Sequence, residues 1–571
     1  MGINNFYKSY LSIATPHKHQ IKMWEMIKKN KYPIFLKAST GSGKTEAVIA
    51  PFLAQFVKDK FSIAPRLIYV LPMRVLVNSI ADRIKRYAHR VSRNVSVELQ
   101  HGESPNDPFF IADVVVTTLD QFIYAYARVS NQVGHHLDIP AGAIASSLVV
   151  FDEAHMYRDG FTFSMMRAMF EILDTANIPF VVMTATMPES LEESLFEKIN
   201  VEENQKIVSA GFSLNNQINI FIEKEPVYKD NEINISNTLL ERIKNRKTLI
   251  ILNQVKRAQE IYKEIKKRLE LKENREIVLL HSRFTRKDRK EHEETSLRML
   301  LHKKDGKIII PEGTGVVIST QVLEAGIDFS AELLLTELSP ADSLVQRAGR
   351  CARYEDEQGE MVVFPVGNEK GYLPYEKNHL KKTIKWLEEN KNFDIRNFSA
   401  ASRFVNVLNY KADDYAARDS LIDFYECVLY ADAAPMNIQV RNSKPVTLIV
   451  LDSSLGINKA KKRQNKKDIA MNAIMKAIKD SKSYIKDNSI NVDIGVVWYL
   501  FKKEERLIRW EFLWKYNKDK KRYEIDIRDL LGNNKNVSEE DRRIGPFRTY
   551  IIESTYYDSL QGVVPDESPF I

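Results

Sequence analysis

The segment Ala38-Ser39-Thr40-Gly41-Ser42-Gly43-Lys44-Thr45 has the composition of a phosphate-binding loop. Its small residues let backbone N–H groups close around an anion. Lys44 would reach the terminal phosphates of a nucleotide, and the Thr45 hydroxyl would be a ligand for Mg2+. Thr40, Gly41, Ser42, Gly43, Lys44 and Thr45 are therefore the candidate nucleotide-binding residues, with ATP and Mg2+ as the expected ligands. Further along, the apolar run Leu148-Val149-Val150-Phe151 leads into Asp152-Glu153-Ala154-His155. Asp152 would hold Mg2+ through its water shell, and Glu153 would orient or deprotonate the attacking water. An Asp-Glu pair alone is ordinary solvated surface; the phosphate loop upstream makes the catalytic reading the better one. A positive charge opposite the phosphates is still needed. Gln346-Arg347-Ala348-Gly349-Arg350-Cys351-Ala352-Arg353 supplies it, with Gln346 completing the catalytic set. Arg350 and Arg353 are three apart, so the spacing predicts a helix presenting both as arginine fingers on one face.

These groups are far apart in sequence, and a repeated scaffold would bring them together. Short apolar runs occur at Pro33–Ala38, Arg66–Pro72, Ala112–Thr118, Ser147–Asp152 and Pro179–Thr184. A second series lies at Thr248–Asn253, Ile277–His281, Gly315–Thr320, Leu333–Glu337 and Met361–Pro365. Such runs, separated by helical patterns, predict parallel strands buried on both faces. Each series has a strand ending in histidine, His101 and His281, so two copies of one α/β unit are expected, at 1–213 and 214–372. The polar stretch Asn215–Asn237 is the expected linker between them. After that come helices at Glu376–Glu389 and Ala412–Leu429, within a helical linker spanning 373–440, and then a small α+β accessory domain at 441–571. In that last part Pro445–Val450 reads as a strand, and Ile494–Phe501, Glu505–Tyr516 and Tyr523–Ile527 read as a small antiparallel sheet.

Lys and Arg number 84 against 76 Asp and Glu, a net charge of +8. The segment Lys459–Lys486 alone carries that excess, which suits a nucleic-acid surface, although a solvated helix face would look the same. Two cysteines exclude a disulfide framework or a four-cysteine zinc site and fit a reducing, cytoplasmic setting. No run is long and apolar enough for a membrane span, and the first residues lack a signal-peptide pattern.

The motifs together resemble helicases of superfamily two, which implies two tandem RecA-like parallel-sheet domains of α/β class followed by a linker and a small C-terminal domain. On that resemblance Gln20 corresponds to the adenine-reading glutamine. Pro72 and Arg74 fall in motif Ia, Thr117, Thr118 and Asp120 in Ib, and Thr184-Ala185-Thr186 in III. Asn253 falls in IV, and Thr320 and Asp328 in V. Pro72, Arg74, Thr117, Thr118, Asp120, Asn253 and Thr320 would grip phosphate and sugar without reading bases, and Asp328 would join the nucleotide site. Thr118-Leu119-Asp120-Gln121, His281-Ser282-Arg283-Phe284 and the run from Ser339-Pro340-Ala341-Asp342 into Gln346 resemble, more narrowly, the CRISPR-associated signature helicase of type I systems. That resemblance implies a 3′ to 5′ single-stranded DNA translocase in antiviral defence, recruited by a guide-RNA effector complex. Members often carry an HD nuclease. Here no His-Asp dipeptide occurs and no histidine follows His379, so a separate HD nuclease is the expected partner. A general RNA or DNA-repair helicase of the same superfamily is the alternative.

Overall fold

The computed structural model describes residues 2–39, 41–102, 104–210, 216–230, 232–304, 307–324, 328–367, 371–430, 438–441, 444–451, 471–472, 474–479, 483–497, 508–517, 522–529, 545–554 and 557–563. Thr40, the 325–327 part of motif V and the lysine-rich start of the basic segment (459–470) lie outside them.

The first unit is one sheet. Its strands are β1 (Ile34–Ala38), β2 (Arg66–Leu71), β3 (Val97–His101), β4 (Ser104–Pro105), β5 (Val114–Thr118), β6 (Ser147–Phe151), β7 (Phe180–Thr184) and β8 (Lys206–Ser209), in the order β4-β3-β5-β2-β6-β7-β1-β8. All pairs are parallel except β3 with β4. Every residue of β1, β5, β6 and β7 is buried, as continuous apolar runs with helices on both faces require. Strand order places the phosphate loop after β1 and the Asp-Glu pair after β6 on the same carboxyl edge, where ligands of open α/β sheets bind.

The second unit begins inside the stretch expected as linker. Gln217–Ile222, taken above as linker, is β9 and pairs in parallel with the last strand of the second sheet. Its Ile218, Ile220 and Ile222 alternate with polar or exposed positions, which is what an edge strand with one covered face needs. After the hairpin β10 and β11 (Tyr228–Lys229, Glu232–Ile233) come β12 (Lys247–Ile251), β13 (Ile277–Leu280), the short β14 and β15 (Leu301–Lys304, Lys307–Ile309), β16 (Gly315–Ser319), β17 (Phe329–Ser330), β18 (Leu333–Glu337) and β19 (Gln358–Phe364). The main sheet runs β13-β16-β12-β18-β19-β9. One apolar core passes from Phe151 and Phe170 of the first unit to Leu334 and Leu344 of the second, and on to Phe404 and Phe424 of the helices that follow.

Those helices are Lys377–Glu389, Phe398–Val405 and Arg418–Tyr430. The last begins at Arg418, not Ala412, because the preceding turn is pinned by Asp413 N donating to Gly160 O. The C-terminal sheet consists of β20 (Pro445–Leu451), β21 (Ser489–Asp493), β22 (Ile508–Asn517), β23 (Arg522–Asp529) and β24 (Thr549–Glu553), ordered β21-β20-β24-β22-β23. The expected β22 and β23 pair antiparallel, while β24 lies parallel to β20, so the sheet as a whole is mixed. Of the strand expected at Ile494–Phe501, residues 494–497 are helical and 498–501 lie outside the described residues; the alternating Ser489–Asp493 just before it is a strand. Finally β25 and β26 (Tyr557–Asp558, Gly562–Val563) return to the second unit. Gln561 O accepts from Gln259 Nε2 (2.7 Å) and lies 3.0 Å from His281 Nε2, while Thr285 N–H donates to the Tyr557 hydroxyl. Gly562 sits at φ +75°, with Arg283 O only 2.5 Å from where a Cβ would be. No described helix is long and apolar enough to cross a membrane.

Candidate ATP site and nucleic-acid track

The phosphate loop closes on itself through backbone. Gly41 and Gly43 both take φ +80°, where any other residue would be strained. The helix Lys44–Lys58 starts immediately after, so its first N–H groups point at the loop. Lys44 Nζ donates to Ala38 O at 3.2 Å, and the buried Ser42 Oγ has no hydrogen-bond partner among the described residues. The Tyr69 hydroxyl donates to Asp152 Oδ2 (2.6 Å) and lies 3.2 Å from Thr45 Oγ1, bringing the two candidate Mg2+ ligands to one point. A buried ammonium at a helix start and an adjacent hydroxyl–carboxylate pair fit a nucleoside triphosphate with its divalent ion.

Gln20 is 0% exposed, and its amide is engaged within the chain. Its Oε1 accepts from His17 N–H (2.8 Å), and its Nε2 donates to Gly43 O (3.0 Å). A Cβ on Gly43 would come within 2.5 Å of that Nε2. Gln20 thereby fastens the loop, each of its amide atoms using one of two hydrogen-bonding positions.

Burial pushes the Asp152 carboxyl up to about 6, with the Glu153 charge adding to the effect and Lys44 opposing it. Glu153 occupies the left-handed region (φ +52°), and its N–H donates to Asp152 Oδ1 at 2.9 Å. His155 is held neutral, burial lowering it to about 3. Its Nδ1 lies 2.9 Å from Thr184 Oγ1 at the end of β7, and its Nε2 meets the Gln346 amide. If the Gln346 amide donates to Nε2, the neutral ring carries its proton on Nδ1, facing Thr184. A single imidazole therefore connects the Asp-Glu pair, motif III and the second unit.

The arginines come from where the sequence placed them, but not on a helix. The helix Ala341–Ala348 ends with Gly349 as its cap, and Arg350 and Arg353 occupy the turn beyond it. Backbone pairing forces the exit, since Ala331 N–H donates to Arg350 O and Ala352 N–H to Ala331 O. Arg350 donates to Glu324 O (2.9 Å) and lies close enough for the Glu153 charge to act on it; burial lowers it to about 9. Arg353 Nε donates to Asp328 Oδ1 (2.7 Å). Burial alone would raise the Asp328 carboxyl, but Arg353 holds it below its usual value. Asp328 thus sits at the finger turn.

Of the expected track residues, Pro72 and Thr118 are buried, Thr117 donates from its hydroxyl to Gln100 O (2.7 Å), and Thr320 is buried at the end of β16. Arg74 lies over Gly102. Asp120 accepts from Arg441 Nε (3.0 Å), and Arg441 also donates to Pro72 O (2.7 Å). Asn253 corrects the expectation of a nucleic-acid contact. It is 0% exposed, its amide donating to Leu338 O and accepting from Arg347, so it is a strut beneath the strand end.

Sequence reasoning passed over several side chains that organise the site. Arg347 is fully buried and donates to Glu324, Thr336, Asn253 and Tyr375, fixing the helix before the finger turn. Arg158, from the loop after the Asp-Glu pair, ion-pairs with buried Asp342 and donates to Ser343 Oγ (2.7 Å), joining the two units. Tyr410 also donates to Asp342, at 3.0 Å. Arg396 donates to Cys351 O and Ala352 O, and Asn216 Nδ2 also donates to Ala352 O (2.7 Å), so the finger turn is held from two sides. Only Arg347, inside the arginine-rich motif, and Tyr69, a hydroxyl in an apolar strand, gave any local signal.

Residues 17–194 match the DEAD/DEAH box helicase family, and residues 244–356 match the C-terminal part of the CRISPR-associated nuclease/helicase Cas3. The Cas3 nuclease/helicase of Methanocaldococcus jannaschii is 30% identical over 430 residues, covering 70% of this chain and 55% of that protein. The CRISPR-associated helicase Cas3 of Thermoproteus tenax is 29% identical over 461 residues, covering 76% and 75%. The chain thus spans little more than half of the first relative and three quarters of the second. The T. fusca Cas3–AMPPNP structure shares the fold, with a TM-score of 0.65 at 20% identity, covering 86% of this chain and 65% of that one. With one helicase motif set spread over two facing sheets and these relatives on both halves, the chain belongs to the Cas3 family of CRISPR-associated DEAD/DEAH helicases.

Proposed function

We propose that this chain is an ATP-driven motor that translocates 3′ to 5′ on single-stranded DNA during type I CRISPR interference. In this reading the guide-RNA effector complex loads it and a separate HD nuclease does the cutting. The observation that carries the motor is the meeting of Gln346 with His155, whose other nitrogen faces Thr184. Through it the second unit senses the state of the Asp-Glu pair. Lys44 and the loop N–H groups hold the phosphates, and Thr45 and Asp152 hold Mg2+, which when bound neutralises phosphate charge. Glu153 orients the water and takes its proton. Arg350, and Arg353 after exchanging Asp328, balance the charge on the transferred group, so hydrolysis needs the two units closed. Polarity and partners rest on the family resemblance.

The test is steady-state ATP hydrolysis with no polymer, single-stranded DNA, duplex DNA or RNA, alongside Lys44→Ala. Stimulation by single-stranded DNA, lost in the variant, is expected; stimulation mainly by RNA would overturn the DNA reading. Strand displacement on 3′- and 5′-tailed duplexes reads the polarity. Metal-dependent DNA cutting by the pure chain would sink the separate nuclease.

A further inference from the structure

Asp120 stands where a nucleic-acid phosphate is expected to pass, and a carboxylate there is a puzzle. A bare anion beside a polyanion repels it and accepts nothing from phosphate oxygen. The structure gives Asp120 a different occupation. Arg441, from the segment that precedes β20, places its Nε on Asp120 Oδ1 at 3.0 Å and a terminal nitrogen on Pro72 O at 2.7 Å. One guanidinium therefore bridges motifs Ia and Ib, held by an anion from one and a carbonyl from the other. Two of its five N–H donors are used in that grip, and the side chain remains 42% exposed. Around it lie Tyr124 and Tyr157, both feeling the Asp120 and Arg441 charges, and Asp159, whose carboxylate caps the helix Gly160–Thr175.

Resting on the single-stranded nucleic-acid reading above, we propose that Arg441 is a further phosphate-contacting residue of the track and that Asp120 acts through it as a positioning residue. A planar guanidinium fixed at one edge offers its free edge to a phosphate at little entropic cost. The residue comes from neither sheet of the motor. The segment leading into the C-terminal domain thereby completes the track at the junction of Ia and Ib, and Asp120 contacts no nucleic acid itself.

The experiment measures binding of a fluorescent oligothymidine to the full chain across a salt series, with thermal melting to confirm folding. Arg441→Ala should weaken binding about tenfold and lower the slope of log affinity against log salt by about 1, since one phosphate contact is lost. Arg441→Lys should keep most of the slope, as a point charge without the fork. Asp120→Ala should weaken binding in the unmodified chain and do nothing further in the Arg441→Ala background. The charge-swapped pair, Asp120→Arg with Arg441→Asp, should not restore binding. Unchanged affinity and slope in Arg441→Ala would overturn the proposal. So would tighter binding, or rescue by the swap, either of which makes the pair a latch. If the unmodified chain fails to bind the oligothymidine, the motor reading falls too, and that outcome is distinct from a failure confined to the variants.

Discussion

Arg158→Ala removes the one described side chain of the first unit that forms an ion pair with the second unit's helix Ala341–Ala348. Asp342 is 1% exposed at its side chain and Arg158 20%, so the pair is largely screened from water. Removing one partner of a buried pair costs about 3–5 kcal/mol, and the residual exposure of Arg158 puts this case near the lower figure. Each unit has its own sheet, so the loss falls on the closing of the two units more than on the folding of either. About 3 kcal/mol is roughly two orders of magnitude in the closing equilibrium. Closure brings Gln346 to His155 and Arg350 towards Glu153, so kcat for DNA-stimulated ATP hydrolysis should fall about ten- to a hundredfold. The melting temperature should move by only a few degrees. Asp342→Asn should behave similarly, and the exchanged pair Arg158→Asp with Asp342→Arg should recover part of the loss. A kcat within twofold of the unmodified chain, in a variant that melts normally, would refute the idea that this pair governs closure.

Arg396→Ala should loosen the finger turn and lower kcat by about tenfold while leaving KM for ATP nearly unchanged, with Arg396→Lys intermediate; steady-state kinetics separate the two parameters. Asp152 has a folded-state pKa raised to about 6. The folded chain therefore binds that proton more tightly than the unfolded one, and stability falls as pH rises from about 4 through 6. Asp152→Asn should accordingly melt higher than the unmodified chain at pH 8 and alike at pH 4, while losing hydrolysis; a lower melting temperature at pH 8 would contradict the sign. Gly562→Ala should undock the returning tail, at a cost of about 1–3 kcal/mol, because φ +75° and the Arg283 carbonyl both oppose a Cβ. Hydrogen exchange at β25 and β26 should rise while exchange at β1 stays the same.

What could be read from the residues was whatever lies close together in sequence. The phosphate loop is one strand, one turn and one helix, so its composition specifies its geometry. The Asp-Glu pair needed the hydrophobic run before it and the phosphate loop upstream. Arg350 and Arg353 were found but put on a helix, because spacing of three cannot reveal that Gly349 ends the helix and that Ala331 draws the chain away. Asn253 has the right type at a strand end, yet burial turns it inward to Arg347. Arg158 with Asp342, Asn216 with Ala352, and Arg441 with Asp120 are joined only by the fold, and no local pattern announces them. In the connection Asn215–Asn237, overall polarity masked the alternation that makes Gln217–Ile222 a strand.

That strand constrains how the chain can be made. Gln217 opens the second unit and finds its partner, Gln358, only when the last strand of that unit has emerged. During synthesis β9 must wait with an unpaired edge and half-apolar side chains, a state prone to wrong pairing. The first unit shares the trait, since β1 pairs only with β7 and β8, the last strands of its sheet. Each unit closes like a clasp, first strand to last, so each should fold late and all at once. Slow, long-range closure of this kind leaves both units with unpaired apolar strands during biosynthesis, where chaperones act.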